Sequence, residues 1–348
     1  MRIVRTLKKV VFLLFVVAAL AAASAAYFMR GRLAAPFQGY ASAEQFVDIP
    51  PGAGTRAIGD RLVAAGVIAD PLTYRAALWV TGDARRLQAG EYRFDRPLTP
   101  IEVLGRIARG DVHVMPITFP EGLTIAEMSA IFAAHGLGTS ASFVAAARDG
   151  AIAAGIDPAA KDLEGYLFPS TYNVPRHTSA AQLVQMMVAT FKRELTPELQ
   201  RAAADRGLTV RQLVTLASLV EKETGRADER PLVASVYANR LRIGMGLQCD
   251  PTVIYALMAA GQYSGNLRRQ DLDLDSPYNT YRYRGLPPGP IAAPGLGALE
   301  AAASPATSEY LYFVSRNDGS HEFARTLEEH NRNVQKYQVA YFRGRRGR

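Results

Sequence analysis

The sequence predicts an α+β protein with a single N-terminal transmembrane helix, a small αβ module and a larger mixed α+β domain. Three observations predict this class. An apolar run of twenty residues, Val10–Met29, lies near the N-terminus. A strand–turn–helix pattern occurs twice, at Ile49–Thr55 and at Phe119–Thr124. From Ile117 onward, aromatic loops rich in glycine and proline alternate with helical stretches, and loops of this kind commonly carry binding and catalysis.

The apolar run is long enough, as a helix, to cross a hydrocarbon layer about 30 Å thick. Small residues at Ala22–Ala26 would also suit a cleaved signal peptide, but the apolar region of a signal peptide usually extends for only about 7 to 15 residues. Four cations precede the run and two follow it. By the positive-inside rule, we expect residues 1–9 to be cytoplasmic, residues 10–29 to form an uncleaved anchor and the body to be external.

The net charge of +8 is concentrated near the chain ends. Ten of the 40 Lys and Arg residues lie in residues 1–9, at Arg30 and Arg32, and in a basic tail at residues 342–348, where there is no acid. The rest of the chain has 30 Lys and Arg against 32 Asp and Glu. This balance argues against a nucleic-acid-binding body.

The cysteine and histidine content predicts neither an internal disulfide nor a metal site. Cys249 is the single cysteine, and the five histidines are scattered along the chain without the spacing of metal ligands.

Residues 46–116, after a linker at residues 30–45, are predicted to form the small αβ module. In each copy of the repeated pattern, a strand leads through a Pro/Gly turn to a threonine N-cap, Thr55 or Thr124, and to a short helix closed by glycine. Thr124 and Glu127 form a capping box. The repeat suggests an internal duplication, offset by one residue. With the helix predicted at Pro100–Arg109, the module resembles a LysM-type fold, which holds glycan chains; a purely structural spacer is the alternative.

A helix is predicted at Thr209–Thr224, with a capping box at its start and Gly225 placed to end it. Glu221 and Glu223 lie at the two margins of its apolar face, so helical periodicity leaves two candidates for a partly buried carboxyl. The bulkier neighbours of Glu223 favour it as the desolvated one. Burial and the negative end of the helix dipole both raise a carboxyl pKa, as a general acid requires. Ordinary solvated glutamates on a surface helix are the alternative.

Six segments resemble, in order and spacing, the YceG-like, or MltG, family of endolytic murein transglycosylases. The resemblance covers about Phe46–Tyr341 and includes the anchor. In that family the second glutamate of the Glu-Lys-Glu-Thr motif is the catalytic acid, which corresponds to Glu223 here. Cys249 stands where a small polar residue is usual, which leaves a thiol near the site. The six segments are Leu163–Tyr172, Ala217–Thr224, Val236–Leu241, Leu247–Val253, Tyr278–Tyr281 and Gly285–Gly295.

The resemblance implies that a catalytic domain at residues 117–341 cleaves the β-1,4 bond between N-acetylmuramic acid and N-acetylglucosamine. It would leave 1,6-anhydromuramoyl ends and set glycan strand length, without a metal or an organic cofactor. We expect five residues to bind the substrate, although each could instead cap a turn or join two loops. They are Glu164, Gln248, Asp250, Asn279 and Tyr281.

The implied partners are peptidoglycan glycan strands and, at the membrane, peptidoglycan synthases, with no nucleic acid. The implied location is the bacterial inner membrane, with a single span, a cytoplasmic N-terminus and a periplasmic body. Two other functions stay open. One is a non-catalytic, membrane-anchored scaffold that binds peptidoglycan; the other is a hydrolytic muramidase, which would need Glu164 or Asp250 as a second carboxylate.

Overall fold

The computed structural model describes residues 2–340 and 343, and it describes side chains from Lys9 onward. The chain divides into two compact units. The first unit contains the chain up to Met115 together with Asn173–Arg176, and the second contains Pro116–Tyr172 and the chain from His177 onward. Met1 and the predicted basic tail, except Arg343, lie outside the described residues.

The first helix, α1, extends over Arg2–Ala34. Its segment Lys9–Ala34 is long and apolar enough to cross a membrane, although a signal sequence would meet the same criteria. The helix continues five residues beyond the predicted anchor, and Leu33 is buried in the core of the first unit. The predicted linker at residues 30–45 is therefore shorter than expected, because its first five residues belong to α1.

The rest of the first unit has the order strand, two helices, strand, helix. Strands β1 and β2 are antiparallel, with Val47 opposite Tyr92. The helices pack on this sheet through buried aliphatic and aromatic side chains. The elements are β1 (Gln45–Ile49), α2 (Thr55–Ala64), α3 (Pro71–Thr81), β2 (Gly90–Phe94) and α4 (Pro100–Arg109).

The repeated strand–turn–helix pattern differs between its two copies at the helix cap. The capping box of Thr124 and Glu127 is confirmed. The prediction for Thr55 is wrong, because Gly54 is the N-cap of α2 and makes no side-chain hydrogen bond. Gly52 and Gly122 both adopt the left-handed conformation of the turn, with φ of 77° and 76°, and the cap follows two residues later in each copy. The one-residue offset between the copies therefore places Gly54, not Thr55, at the cap.

The second unit is mostly helical and includes two short two-stranded sheets, one of β3 and β4 and one of β5 and β6. Strands β3 and β4 each continue into residues assigned to the first unit. The mixed helix and strand content confirms the α+β class. In chain order the elements are β3 (Val114–Thr118), α5 (Ile125–Ala134), α6 (Ser140–Ala147), β4 (Thr171–Pro175), α7 (Ala180–Glu194), α8 (Pro197–Asp205), α9 (Val210–Glu223), α10 (Arg230–Arg242), α11 (Asp250–Ala259), α12 (Leu296–Ala303), β5 (Tyr312–Ser315), β6 (His321–Ala324) and α13 (Leu327–Val334).

Helix α9 lies at the centre of the second unit. Its residues Leu213–Val220 are all buried, and α8, α10, α11 and α12 pack around it. The predicted capping box of Thr209 and Gln212 begins the helix. The helix ends at Glu223 because Thr224 turns to an extended conformation and its hydroxyl accepts a hydrogen bond from the backbone of Arg226. The carboxyl groups of Glu221 and Glu223 therefore lie in the last turn of a helix that is packed against neighbouring helices on all sides.

Candidate active site

Glu223, the last residue of α9, reaches a small polar cluster formed with α10 and the start of α11. The hydroxyl of Tyr237 donates a hydrogen bond to its Oε1 at 2.7 Å. The buried thiol of Cys249 is also hydrogen-bonded to its carboxyl group. Tyr237 is only 1% exposed, so both partners approach the carboxyl from the protein interior. Their positions fix the direction in which this carboxyl points.

Burial raises the pKa of Glu223 above its ordinary value, and the nearby charge of Asp250 raises it further. The hydrogen bonds from Tyr237 and Cys249 and the charge of His321 act in the opposite direction, but burial is the largest effect. The negative end of the α9 dipole also favours the neutral form. Glu223 is therefore prepared to carry a proton at a pH where an ordinary glutamate has lost it.

The pKa of the Cys249 thiol is also raised well above its ordinary value, mainly by burial and then by the charge of Glu223. The thiol stays protonated and therefore acts as a hydrogen-bond donor toward the carboxylate. The thiol expected near the site is thus a direct neighbour of the carboxyl group, and it is neutral.

One side of Glu223 faces a pocket of about 400 Å³, within the usual size range of small-molecule sites. Glu223 is partly exposed there. The pocket contains acidic, amide, hydroxyl and aromatic groups, which are the groups that bind polar rings. It is lined by Glu223, Arg240, Leu247, Gln248, Asp250, Tyr281, Tyr312, Phe313, Leu327, His330 and Asn331.

Glu221 is also sequestered, so desolvation is not confined to Glu223. The Glu221 side chain is only 6% exposed. It pairs with Arg230 at 3.3 Å and accepts a hydrogen bond from the backbone N–H of Gly295 at 3.0 Å. Burial raises the pKa of Glu221 too, although the Gly295 and Arg230 contacts oppose the shift. The two carboxyls therefore differ in their partners: Glu221 joins α9 to its neighbours, whereas Glu223 faces a pocket.

Three of the predicted substrate-binding residues, Gln248, Asp250 and Tyr281, lie with Glu223 around the pocket. All three are exposed. The Tyr281 hydroxyl donates to the Asp250 carboxylate at 2.5 Å. Gln248 has a φ of 49°, a left-handed conformation that is uncommon outside glycine and found more often at functional sites.

Asn279 is placed differently from the expectation of a substrate contact. It is fully buried, and its amide nitrogen donates to the carbonyl oxygens of Leu272 and Leu274 at 2.9 and 2.8 Å. Its side-chain oxygen accepts from the backbone N–H of Tyr281 at 3.0 Å. Asn279 therefore organises the loop that carries Tyr281, and its amide presents no free polar atom to a ligand.

Glu164 is also placed away from the Glu223 pocket. Its carboxylate accepts hydrogen bonds from the backbone N–H of Ile125, the first residue of α5, at 3.1 and 3.4 Å. Glu164 lines two other cavities. The carboxyl thus binds the start of α5.

Several pocket residues were not singled out from the sequence. Arg240 is buried and donates hydrogen bonds to the carbonyl oxygens of Leu311 and Leu247, both at 2.6 Å. Tyr237 and Arg240 lie three residues apart in the Val236–Leu241 motif, on one face of α10. That spacing was visible in the sequence, but nothing indicated that this face packs on the end of α9.

Among residues 2–340 and 343, no group of three or more His, Cys, Asp or Glu side chains is arranged to hold a metal ion.

The buried carboxyl of Glu164 should make the stability of the protein depend on pH. Burial and the charges of Asp162 and Glu127 raise its pKa from 4.5 to about 8, against hydrogen bonds from Ile125 and Tyr255 that lower it. The folded state therefore holds this proton more tightly than the unfolded state, and the free energy of unfolding falls as the pH rises from about 4.5 to about 8. The Gln side chain of Glu164→Gln stays neutral at every pH, so this variant should lose less free energy of unfolding than the wild type as the pH rises.

The measurement is the melting temperature of wild type and Glu164→Gln between pH 5 and pH 8, a window that the shift of Glu164 defines. The variant should gain stability relative to wild type as the pH rises. Glu198→Gln, in which the replaced side chain is 72% exposed, is the matched control and should change little. A constant difference between Glu164→Gln and wild type across this range would contradict the prediction.

Comparison with known proteins places these residues in a family. The family model described as "YceG-like family" matches residues 47–336. An endolytic murein transglycosylase of Bacillus subtilis is 33% identical over 315 residues, which cover 84% of each chain. An endolytic murein transglycosylase of Streptococcus pneumoniae is 30% identical over 322 residues, which cover 83% of this chain and 57% of that protein.

The solved structures add a neighbour with the same architecture. The crystal structure of a yceG-like protein from Listeria monocytogenes is 31% identical, with a TM-score of 0.57, over 83% of this chain and 98% of that one. The extent of the family match and the similarity in both sequence and fold establish that the chain belongs to the YceG-like family.

Proposed function

We propose that this protein is an endolytic murein transglycosylase that cleaves the β-1,4 bond between N-acetylmuramic acid and N-acetylglucosamine, with Glu223 as its acid and base. The names of the relatives from Bacillus subtilis and Streptococcus pneumoniae support the reaction class. The observation that carries the proposal for this chain is a single carboxyl with a raised pKa, held by Tyr237 and Cys249 and partly exposed in a polar pocket.

The proposed reaction uses this carboxyl twice. Protonated Glu223 donates its proton to the glycosidic oxygen as the bond from that oxygen to the muramoyl anomeric carbon breaks. The 6-hydroxyl of the same muramoyl residue then attacks the anomeric carbon and returns its proton to Glu223. A 1,6-anhydro ring forms and no water is consumed. Because the substrate supplies its own nucleophile at high effective concentration, one carboxyl serves as acid and then as base.

The surrounding groups match these two steps. After it donates its proton and before it regains one, Glu223 is ionised, and the hydrogen bonds from Tyr237 and Cys249 stabilise that charge. We assign Gln248, Asp250 and Tyr281 to substrate binding, because their amide, carboxylate and hydroxyl groups are exposed around the pocket and complement sugar hydroxyl and acetamido groups.

The remaining assignments concern location and the first unit. We propose that α1 anchors the protein in the bacterial inner membrane, with a cytoplasmic N-terminus and an external body that acts on nascent glycan strands beside peptidoglycan synthases. The first unit is proposed to be a LysM-like glycan-holding module. Its two antiparallel strands, with two helices between them in the chain, support that assignment.

A hydrolytic muramidase is the second candidate, and one observation favours it: Asp250 lines the same pocket as Glu223 and could serve as the second carboxylate that a hydrolase needs. Glu164 fits this role poorly because it lines other cavities. Mass spectrometry of the glycan products separates the two reactions, because hydrolysis adds one water that the anhydro product lacks.

A paired substitution in α9 tests the proposed role of Glu223. Glu223→Gln keeps the size of the side chain but cannot deliver the proton, so the rate of anhydro-product formation should fall by about 10⁴-fold or more. Glu221→Gln is the matched control. It removes the charge that pairs with Arg230, so it should lower the melting temperature while the folded enzyme keeps most of its rate.

Product mass is measured for both variants on purified glycan strands, with folding followed by circular dichroism. A folded Glu223→Gln enzyme that keeps most of its rate would remove this residue from the mechanism. If Glu221→Gln were folded but inactive while Glu223→Gln stayed active, Glu221 would take the assigned role instead. Hydrated products from the wild type would favour the muramidase.

Tyr237→Phe tests how the carboxyl is held. The Tyr237 hydroxyl lowers the pKa of Glu223, so its removal should move the alkaline limb of the pH–rate profile to higher pH. The rate should also fall by about 10- to 100-fold, since a hydrogen bond to the ionised carboxylate is lost. Tyr172→Phe, which removes a buried hydroxyl bonded to the Phe168 carbonyl, should leave the profile unchanged. An unmoved alkaline limb in Tyr237→Phe would show that the hydroxyl does not act on Glu223.

A further inference from the structure

Helix α3 has two apolar faces, and only one of them is used by the fold. Thr73, Tyr74 and Ala77 are buried against the first unit. A second face exposes three large apolar side chains, at the i, i+7 and i+8 positions of one helical stripe about 100° wide, whereas Ala76 at i+4 packs against the core of the first unit. These three are Leu72, Trp79 and Val80, with 54%, 85% and 53% of their surface exposed. Exposed apolar stripes of this kind mark interaction surfaces.

The position of α3 relative to α1 suggests what covers this stripe. Met29, the last residue of the apolar run, packs against the core of the first unit, and Leu33 is buried in that core. Arg32 forms an ion pair with Asp70, the N-cap residue of α3. No flexible spacer therefore separates the apolar run from α3.

The distances involved match the thickness of a lipid headgroup layer. From Met29 to Leu33 the helix rises by only about 6 Å. The polar layer on each side of a bilayer is roughly 5 to 8 Å thick. If the apolar run of α1 spans the hydrocarbon, the first unit begins within the headgroup layer, and the start of α3, where Asp70 pairs with Arg32, lies at that level.

The side chains have the chemistry of this layer. Tyr27 and Phe28 are 81% and 65% exposed at the outer end of the apolar run, and Trp79 is a third exposed aromatic, on α3, which contacts α1. Tryptophan and tyrosine are enriched where the apolar core of a bilayer meets water, because their rings are amphipathic.

The charges near the stripe also favour a lipid surface. Between Pro71 and Arg86 the exposed charged side chains are cations, namely Arg75, Arg85 and Arg86. The one acid in this segment, Asp83, is buried and pairs with Arg86 at 3.1 Å. Cations beside a membrane are attracted to anionic lipid headgroups.

We propose that the stripe formed by Leu72, Trp79 and Val80 docks on the outer surface of the bilayer that α1 crosses, with Trp79 at the boundary of the headgroups and acyl chains. This inference rests on the proposed membrane anchor. Its consequence is that two elements, α1 and α3, hold the first unit on the membrane, so the unit cannot pivot about α1 alone.

Trp79 is the single tryptophan of the chain, so its fluorescence tests the proposal without a label. The full chain is reconstituted into phosphatidylglycerol–phosphatidylethanolamine vesicles that contain no other protein. Lipids brominated on the acyl carbons near the headgroup should quench the Trp79 emission, the emission maximum should lie at shorter wavelength than that of tryptophan in water, and aqueous iodide should quench it weakly. The double variant Leu72→Ser/Val80→Ser, which changes only exposed positions, should lose most of the lipid quenching.

A second probe separates failure of the anchor from failure of the docking. In a Trp79→Phe background, Tyr27→Trp places the only tryptophan on α1. If this tryptophan is quenched by brominated lipid while Trp79 in the unmodified chain is quenched only by iodide, the anchor holds and the docking proposal is wrong. If neither is quenched by lipid, the proposed anchor fails and the docking proposal fails with it. A Trp79 emission that is shifted to shorter wavelength but insensitive to brominated lipid would show that a second copy of the chain covers the stripe, which also overturns the proposal.

Discussion

The constraint on which the second unit depends is the burial of α9 up to its last turn. Residues Leu213–Val220 face neighbours on every side, so the helix cannot tilt or fray without disturbing four other helices. The end of the helix is also fixed. Thr224 leaves the helix and the chain continues to Glu229, whose carboxylate accepts hydrogen bonds from His321 at 2.7 and 2.9 Å. A carboxyl at this helix end is therefore rigid and desolvated.

Burial alone does not distinguish the two carboxyls at this helix end. Glu221 and Glu223 are both desolvated, and the pKa of each is raised. The cation Arg230 compensates the charge of Glu221. Glu223 has neutral donors, Tyr237 and Cys249, and an open side. Neutral donors stabilise the carboxylate without holding it permanently ionised, so proton transfer in both directions stays accessible.

The sequence could predict what depends on neighbours along the chain. The capping box at Thr209 and the two carboxyls at the end of α9 follow from local spacing. The loop role of Asn279 and the position of Glu164 could not be derived in this way, because both depend on partners that only the folded chain brings close. The family resemblance pointed to Glu223 as the candidate acid, whereas helical periodicity did not separate it from Glu221. The resemblance did not indicate which polar residues of the motifs face the pocket and which fix loops.

The proposed reaction requires that the surroundings of Glu223 keep its carboxylic acid neutral until it donates the proton. Infrared difference spectra of wild type minus Glu223→Gln, recorded across a pH series, isolate the C=O stretch of the protonated Glu223 carboxyl. We expect this band to persist above the ordinary glutamate pKa of 4.5, because burial raises the pKa of Glu223. A band that disappears at the pH of an exposed glutamate would contradict it.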